Sequence, residues 1–399
     1  MKYKGVITCV AIVILCISCS QDNAQKSKTL SLENVPEEIR NLESLSVFDS
    51  DSEPTEKITF KETVRFGEIY PALLPPTMGF GPLNAVDENG RFYRAIRAQN
   101  LISVYNSEGS KITDIGRKGR GPGEFLSITS VYVLADKIFV FDSNLFRLSI
   151  FSINNYELQK IINFDAKYDL KKLEGIKFNR PVSVVPFSEK TLLIALLLED
   201  EKVNYGYYQI DYEGKIISYK KVLEQYPHAG HNGRLKNGGL AGIRLPFTPK
   251  ILMTVASLSI YYVDTKEILI KILNSDLEYE KAFYHPFDND PLEEQEVLNA
   301  FHPNLHSVVK SADYPETWPA LDNLLVDDEG RIWISKIIDD KSKHEWDVLE
   351  KSGEIKTRFD WPADEPIIFV KKGKLYSEKE DEDIGGKVIV AYNFSFEGL

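Results

Sequence analysis

The chain has 399 residues, 43% of them hydrophobic and 27% charged, which excludes disorder and allows two or three ordinary domains or one large β domain. Its 21 Phe, 20 Tyr, 24 Gly and 19 Pro favour strands and turns over helices. With 48 Lys plus Arg against 60 Asp plus Glu the net charge is −12, and no dense basic run offsets it, so nucleic acid is excluded as the main partner.

The N-terminus reads as an export leader. Lys2 and Lys4 precede an apolar run over 6–17, followed by Ser18 and Cys19. A charged start, a short apolar stretch and a small residue before the cut make a secretory signal, and a run of about a dozen residues is too short to span a bilayer. Ile17-Ser18-Cys19 resembles the end of a bacterial lipobox, although Cys16 stands where that motif prefers Leu. The resemblance implies a signal peptide over 1–18 and lipid on Cys19; ordinary signal-peptidase cleavage is the alternative. All three cysteines, Cys9, Cys16 and Cys19, fall in this region, so the mature chain would keep no thiol for a disulfide. Acyl chains on Cys19 would suffice for membrane anchoring.

Residues 19–57 are rich in Ser, Gln, Lys, Asp and Glu, the composition of a tether. Within it Val35, Ile39, Leu42 and Leu45 recur at helical spacing behind Pro36. This spacing predicts a short amphipathic helix packed on the domain that follows.

From 58 to 399 one pattern repeats: aromatic and β-branched runs broken by Asp, Asn and Gly turns. Residues 86–93, running from Val86-Asp87 through Gly90-Arg91 to Phe92-Tyr93, match 326–333, with Val326-Asp327, Gly330-Arg331 and Ile332-Trp333. A second turn follows in each copy, at Gly109 and Gly353. Four-stranded units of this length predict an all-β, six-bladed β-propeller, with inner strands starting near Leu83, Ser130, Val182, Lys250, Leu321 and Ile367. The last unit supplies about three strands, so residues 58–66 are expected to provide the fourth and close the ring. Seven blades are the alternative, because the spans before Lys250 and Leu321 are long.

Gly116-Arg117-Lys118-Gly119-Arg120-Gly121-Pro122-Gly123-Glu124-Phe125, with Phe141-Asp142-Ser143, Arg147 and Phe151 downstream, resembles the connection and following strand of NHL-type propellers. Order and spacing are similar to the six-bladed propeller lipoproteins of the Bacteroidetes, NHL-like or TolB-like. That resemblance implies a fold and a cell-envelope location, at the outer membrane and facing the periplasm or the surface; most members of the family have no assigned activity. The glycine-rich stretch lacks the Lys-Ser or Lys-Thr pair and the helix of a phosphate loop. It is expected to be a tight crossing, with Glu124 paired to an Arg or a backbone amide and Asp142 paired to Arg147.

Five of six histidines fall in the two long spans: His228 and His231, then His285, His302 and His306. Both spans join an outer strand to the next inner strand, so both should emerge on one rim, beside Arg120. The first, 226–246, is glycine-rich and carries Arg234, Lys236 and Arg244. The second, 285–319, has a helical stretch over 292–301 and ends in Tyr314, Trp318 and Pro319. Pro303 between His302 and His306 argues against a helical metal pair, and no catalytic motif, metal set or cofactor is predicted. Arg120, His228, His231, Arg234, Arg244, Tyr314 and Trp318 are the candidate ligand-binding residues, suited to an envelope protein, a glycan or a small acidic ligand. Tyr314 and Trp318 could equally plug the insertion. The expectation is a monomeric binding module anchored to the membrane through Cys19; a metal-dependent hydrolase, lactonase or lyase at the central channel is the alternative.

Overall fold

The computed structural model describes residues 35–49, 52–66, 81–164, 178–199, 203–381 and 386–399. The expected leader, Cys19 and the first part of the tether lie outside the described residues.

Six antiparallel sheets follow one another around a ring. Their inner strands are Asn84–Val86, Ile128–Leu134, Phe178–Pro186, Ile251–Ala256, Leu321–Val326 and Ile367–Lys371, close to the expected starts, and define blades 1 to 6. Each blade lies between two others, so its middle strands are covered on both faces. Arg147–Ser152 and Ile332–Ile337 are accordingly buried at every position. One apolar cluster fills each of the six interfaces. Trp333, Trp346 and Trp361 of blade 5, for example, pack against Ile367 and Leu375 of blade 6. Burying such side chains contributes about 1.5–3 kcal/mol each, which holds the ring without disulfides.

Closure occurs as expected. Glu56–Phe66 pairs antiparallel with Gly386–Gly398 and becomes the outer strand of blade 6. Phe66 then stacks on Phe92 of blade 1, with ring centroids 4.7 Å apart. The N-terminal helix is one turn, Glu37–Arg40, with Val35 and Ile39 buried against Leu269, Ala282 and Tyr284 of blade 4. Beyond it Leu45–Val47 adds a parallel fifth strand to blade 4, beside Tyr279–His285. Three residues are too few for an alternation signal, so sequence periodicity does not reveal this strand.

The matched repeats fold identically. Asp87 Oδ1 accepts from the amides of Asn89 and Arg91, while its Oδ2 accepts from Arg91 Nε (2.5 Å) and the Tyr93 hydroxyl (3.0 Å). Asp327 does the same with Glu329, Arg331 and the Trp333 indole N–H. Gly90 and Gly330, at φ of 75° and 79°, complete these turns in the left-handed region.

The chain direction alternates within each blade, so the connections divide between two faces. Turns from the inner to the second strand, Asp87–Arg91 among them, lie on what we call the turn face. Crossings from an outer strand to the next inner strand lie on the connection face, which therefore carries 116–127 and both long insertions.

Two expectations need correction. Asp142 and Arg147 form no ion pair: Asp142 accepts from the amides of Leu126, Ser127, Asn144 and Leu145, and Arg147 donates to the carbonyls of Arg120, Gly121 and Glu124. Both side chains fasten the glycine-rich crossing to blade 2. His285 is the last residue of a blade 4 strand and is buried, rather than part of the loop insertion.

Candidate functional site

The two insertions build one subdomain on the connection face. Residues 226–250 form a hairpin from Gly230–Arg234 and Leu240–Arg244. Residues 286–320 form the helices Glu294–Asn299 and His306–Val309. Phe247 is fully buried between them, edge-on to Phe301, Tyr314 and Trp318. Trp318 donates its indole N–H to Glu296 (3.2 Å), and Lys341 lies over its ring. Tyr314 and Trp318 thus serve the core of this subdomain.

His231 Nε2 meets Ser311 Oγ at 3.0 Å, and Ser307 donates to the Arg234 carbonyl, so both link hairpin to helix. His302 accepts from the Asn304 amide at the start of a short 3-10 turn, and His306 Nε2 lies 3.2 Å from the Phe301 carbonyl. These three histidines have structural contacts. The side chains of Arg120 and Arg234 are exposed on the rim. Glu124, as expected, bonds Arg117 and the Gly121 amide. A side chain at Gly119 would stand 2.1 Å from Glu124 Oε2, which gives the glycine a structural reason.

Beneath the subdomain, at the mouth of the channel, His228, a candidate from the sequence, meets three residues that sequence reasoning did not single out, Lys250, Asp322 and His344. Lys250, directly before the inner strand of blade 4, donates to Asp322 in the inner strand of blade 5 (3.2 Å). Its backbone amide is held by Thr265 Oγ1 at 2.9 Å. Burial raises the Asp322 carboxyl, but Lys250, His344 and His228 more than reverse this and hold it below its ordinary pKa. His228 Nδ1 lies 2.6 Å from the Thr248 carbonyl, which can only accept, so Nδ1 carries the proton and Nε2 is the basic nitrogen. Burial, with the positive charge of Lys250, lowers the pKa of His228. His344, whose Nδ1 is 3.5 Å from Ser335 Oγ, is lowered by burial against the opposing pull of Asp322. The mouth therefore presents an ammonium–carboxylate pair flanked by two neutral imidazoles at pH 7, with Arg244 adding positive charge nearby and Lys341 paired to Asp290 at 2.7 Å.

Such a set can bind a polar ligand through charge-assisted hydrogen bonds, and the imidazoles can take up or give a proton. Among the described residues no group of three His, Cys, Asp or Glu side chains could hold a metal ion. Two signals in the sequence could have pointed here. His344 is the one histidine outside the long spans, and Lys250 and Asp322 are charged residues at the starts of largely apolar inner strands.

Comparison with known proteins agrees with the architecture. A family described as TolB-like 6-blade propeller-like matches residues 98–234. A crystal structure of a Bacteroides fragilis protein superposes with a TM-score of 0.51 at 12% identity, covering 88% of this chain and all of its own. A member of the DUF4221 family from Bacteroides vulgatus gives 0.51 at 13% identity, covering 87% of this chain and all of its own. At these identities the likeness is one of fold. No curated protein matches the chain.

Proposed function

We propose that this protein is an exported, lipid-anchored propeller that binds a small acidic or glycan-like ligand at the connection-face mouth. The observation that carries the reading is the meeting of Lys250, Asp322, His228 and His344, drawn from separate parts of the chain, beneath a roof made by both insertions. Lys250 is paired to Asp322 and Lys341 to Asp290, so Arg244 supplies the positive charge that would meet an anionic group. Asp322 is an acceptor for sugar hydroxyls. Export is supported by the leader-like N-terminus and by the Bacteroides fragilis relative, which is inferred to be an exported protein.

Titration calorimetry against acidic mono- and oligosaccharides tests the binding role. Binding should fall at least tenfold in Lys250→Met and in Asp322→Asn, with melting curves unchanged. Retained binding in both variants would place the site elsewhere. Lipidation is tested by intact-mass analysis of the membrane-extracted protein, in which Cys19→Ser should lose the acyl mass.

A second reading, a hydrolase or lyase, is favoured by the pair of neutral imidazoles beside Asp322. It requires turnover of a bound ligand that stops in His228→Ala or His344→Ala while binding persists.

A further inference from the structure

The other end of the channel is built differently. A cavity of about 800 Å³ opens on the turn face and reaches inward to Asn84, Leu252 and Asn323. Its wall is mixed, somewhat more apolar than polar, with Val133, Val185, Met253, Val255, Leu325 and Phe369 among the lining residues. The volume is that of a small-molecule site. On the blade 4 side of the mouth Leu258, at φ of 60°, occupies a turn position that favours Asn or Gly, and it is 48% exposed. The fold thus keeps an apolar side chain at the mouth where turn chemistry disfavours one.

The charged residues that line this mouth all belong to blades 1, 5 and 6. Lys371 and Lys372 of blade 6 both reach Glu88 of blade 1, at 2.8 Å and 2.7 Å. Asp328 of blade 5 accepts from the Lys372 amide. Glu88 is 64% exposed, whereas Lys371 is only 24% exposed and also donates to the Val86 carbonyl. Lys371 is the fixed ammonium of this arrangement, whereas the Lys372 side chain, 45% exposed, is placed through its backbone amide, and the Glu88 carboxylate reaches both from solvent. An exposed side chain held only by ion pairs gains little net stability and exchanges readily.

We propose that the turn-face cavity is a binding site for a fatty carboxylate, whose tail fills the channel and whose head takes the place of Glu88 on Lys371 and Lys372. Glu88 is then an internal competitor, a carboxylate of the chain in the seat of the ligand's. The site is independent of the connection-face reading, since it shares no side chain with it.

The test is calorimetric titration of the full folded domain with dodecanoate, with dodecanol as the tail without the charge and acetate as the charge without the tail. Dodecanoate should bind at least tenfold more tightly than either. Glu88→Gln, a change at an exposed position, should tighten dodecanoate severalfold by removing the competitor. Lys371→Gln with Lys372→Gln should weaken it tenfold or more. Dodecanol binding as well as dodecanoate, or Glu88→Gln leaving the affinity unchanged or weaker, overturns the proposal. So does an absence of dodecanoate binding in both the unmodified protein and Glu88→Gln.

Discussion

The two ends of the channel are made from the same inner strands yet differ in origin and chemistry. At the connection face Lys250 and Asp322 stand at the entry of the inner strands of blades 4 and 5, and the roof comes from the two insertions. At the turn face the same strands end in short hairpin turns, and the chemistry comes from the repeats themselves. Glu88 and Asp328 stand one residue after the aspartates that tie their turns together. The difference teaches where a propeller can vary. A crossing between blades tolerates some twenty or more added residues because loop closure costs only slowly more with length. A tight inner turn can change only its exposed side chains.

Separating the two ends experimentally starts with the roof. Phe247→Ala removes the centre of the insertion core, and a loss of about 4 kcal/mol is expected for that subdomain. Limited proteolysis should then cut within the hairpin 230–244, and connection-face binding should be lost while dodecanoate binding at the turn face persists. Equal loss at both ends would show that the two mouths are coupled.

The converse change is Asp327→Ala. It leaves Arg331 without its buried partner and strips the Trp333 indole of its acceptor, at a cost of about 3–4 kcal/mol by urea unfolding. The turn face should be disturbed first, with the roof still resistant to protease in dilute urea.

Acid should act between these extremes. His285 is buried against Phe48, rings stacked 4.7 Å apart, and its Nε2 has no hydrogen-bond partner. Burial pushes its pKa down to about 4. The unfolded chain protonates this histidine near 6.5, the folded one only near 4, so unfolding takes up a proton between those values. Stability should therefore fall as pH drops from 6.5 to 4, by about 3 kcal/mol from this residue. His285→Phe should flatten that part of the pH–stability curve; an unchanged curve would assign the acid sensitivity to other groups.

The smallest expected effect is that of Glu88→Gln on stability. Its lysine partners hold the Glu88 carboxyl down to about 2. Because this pKa is depressed on folding, the stabilisation is present above about 4.5 and lost as pH falls toward 2. The group is largely exposed, so less than about 1 kcal/mol is expected at neutral pH. A loss above 2 kcal/mol in thermal melts would make Glu88 a structural residue and remove the reason to treat its seat as exchangeable.

Much of the architecture was legible from particular residues. The match of 86–93 with 326–333 reflects a turn whose Asp, Gly, Arg and aromatic each have a required place, so the pattern is visible without knowledge of its surroundings. Residues 58–66 were recognisable as the closing strand because the last unit lacked one. His285 was misplaced because it ends a strand next to a loop, and boundaries shift by a residue or two in any reading of local pattern. The Asp142–Arg147 pairing failed because the glycine-rich crossing needs more partners than one ion pair would leave it.

By itself the sequence determined the blade grammar, the order of the units and the side of the ring on which the insertions lie. Those properties follow from local alternation, turn chemistry and the direction of consecutive strands. Only the tertiary structure decided that Lys250 meets Asp322 across 72 residues, that Tyr314 and Trp318 face a core, and that the turn face opens into a cavity. Ring closure brings inner strands together by their place around an axis, and distance around that axis bears no relation to distance along the chain.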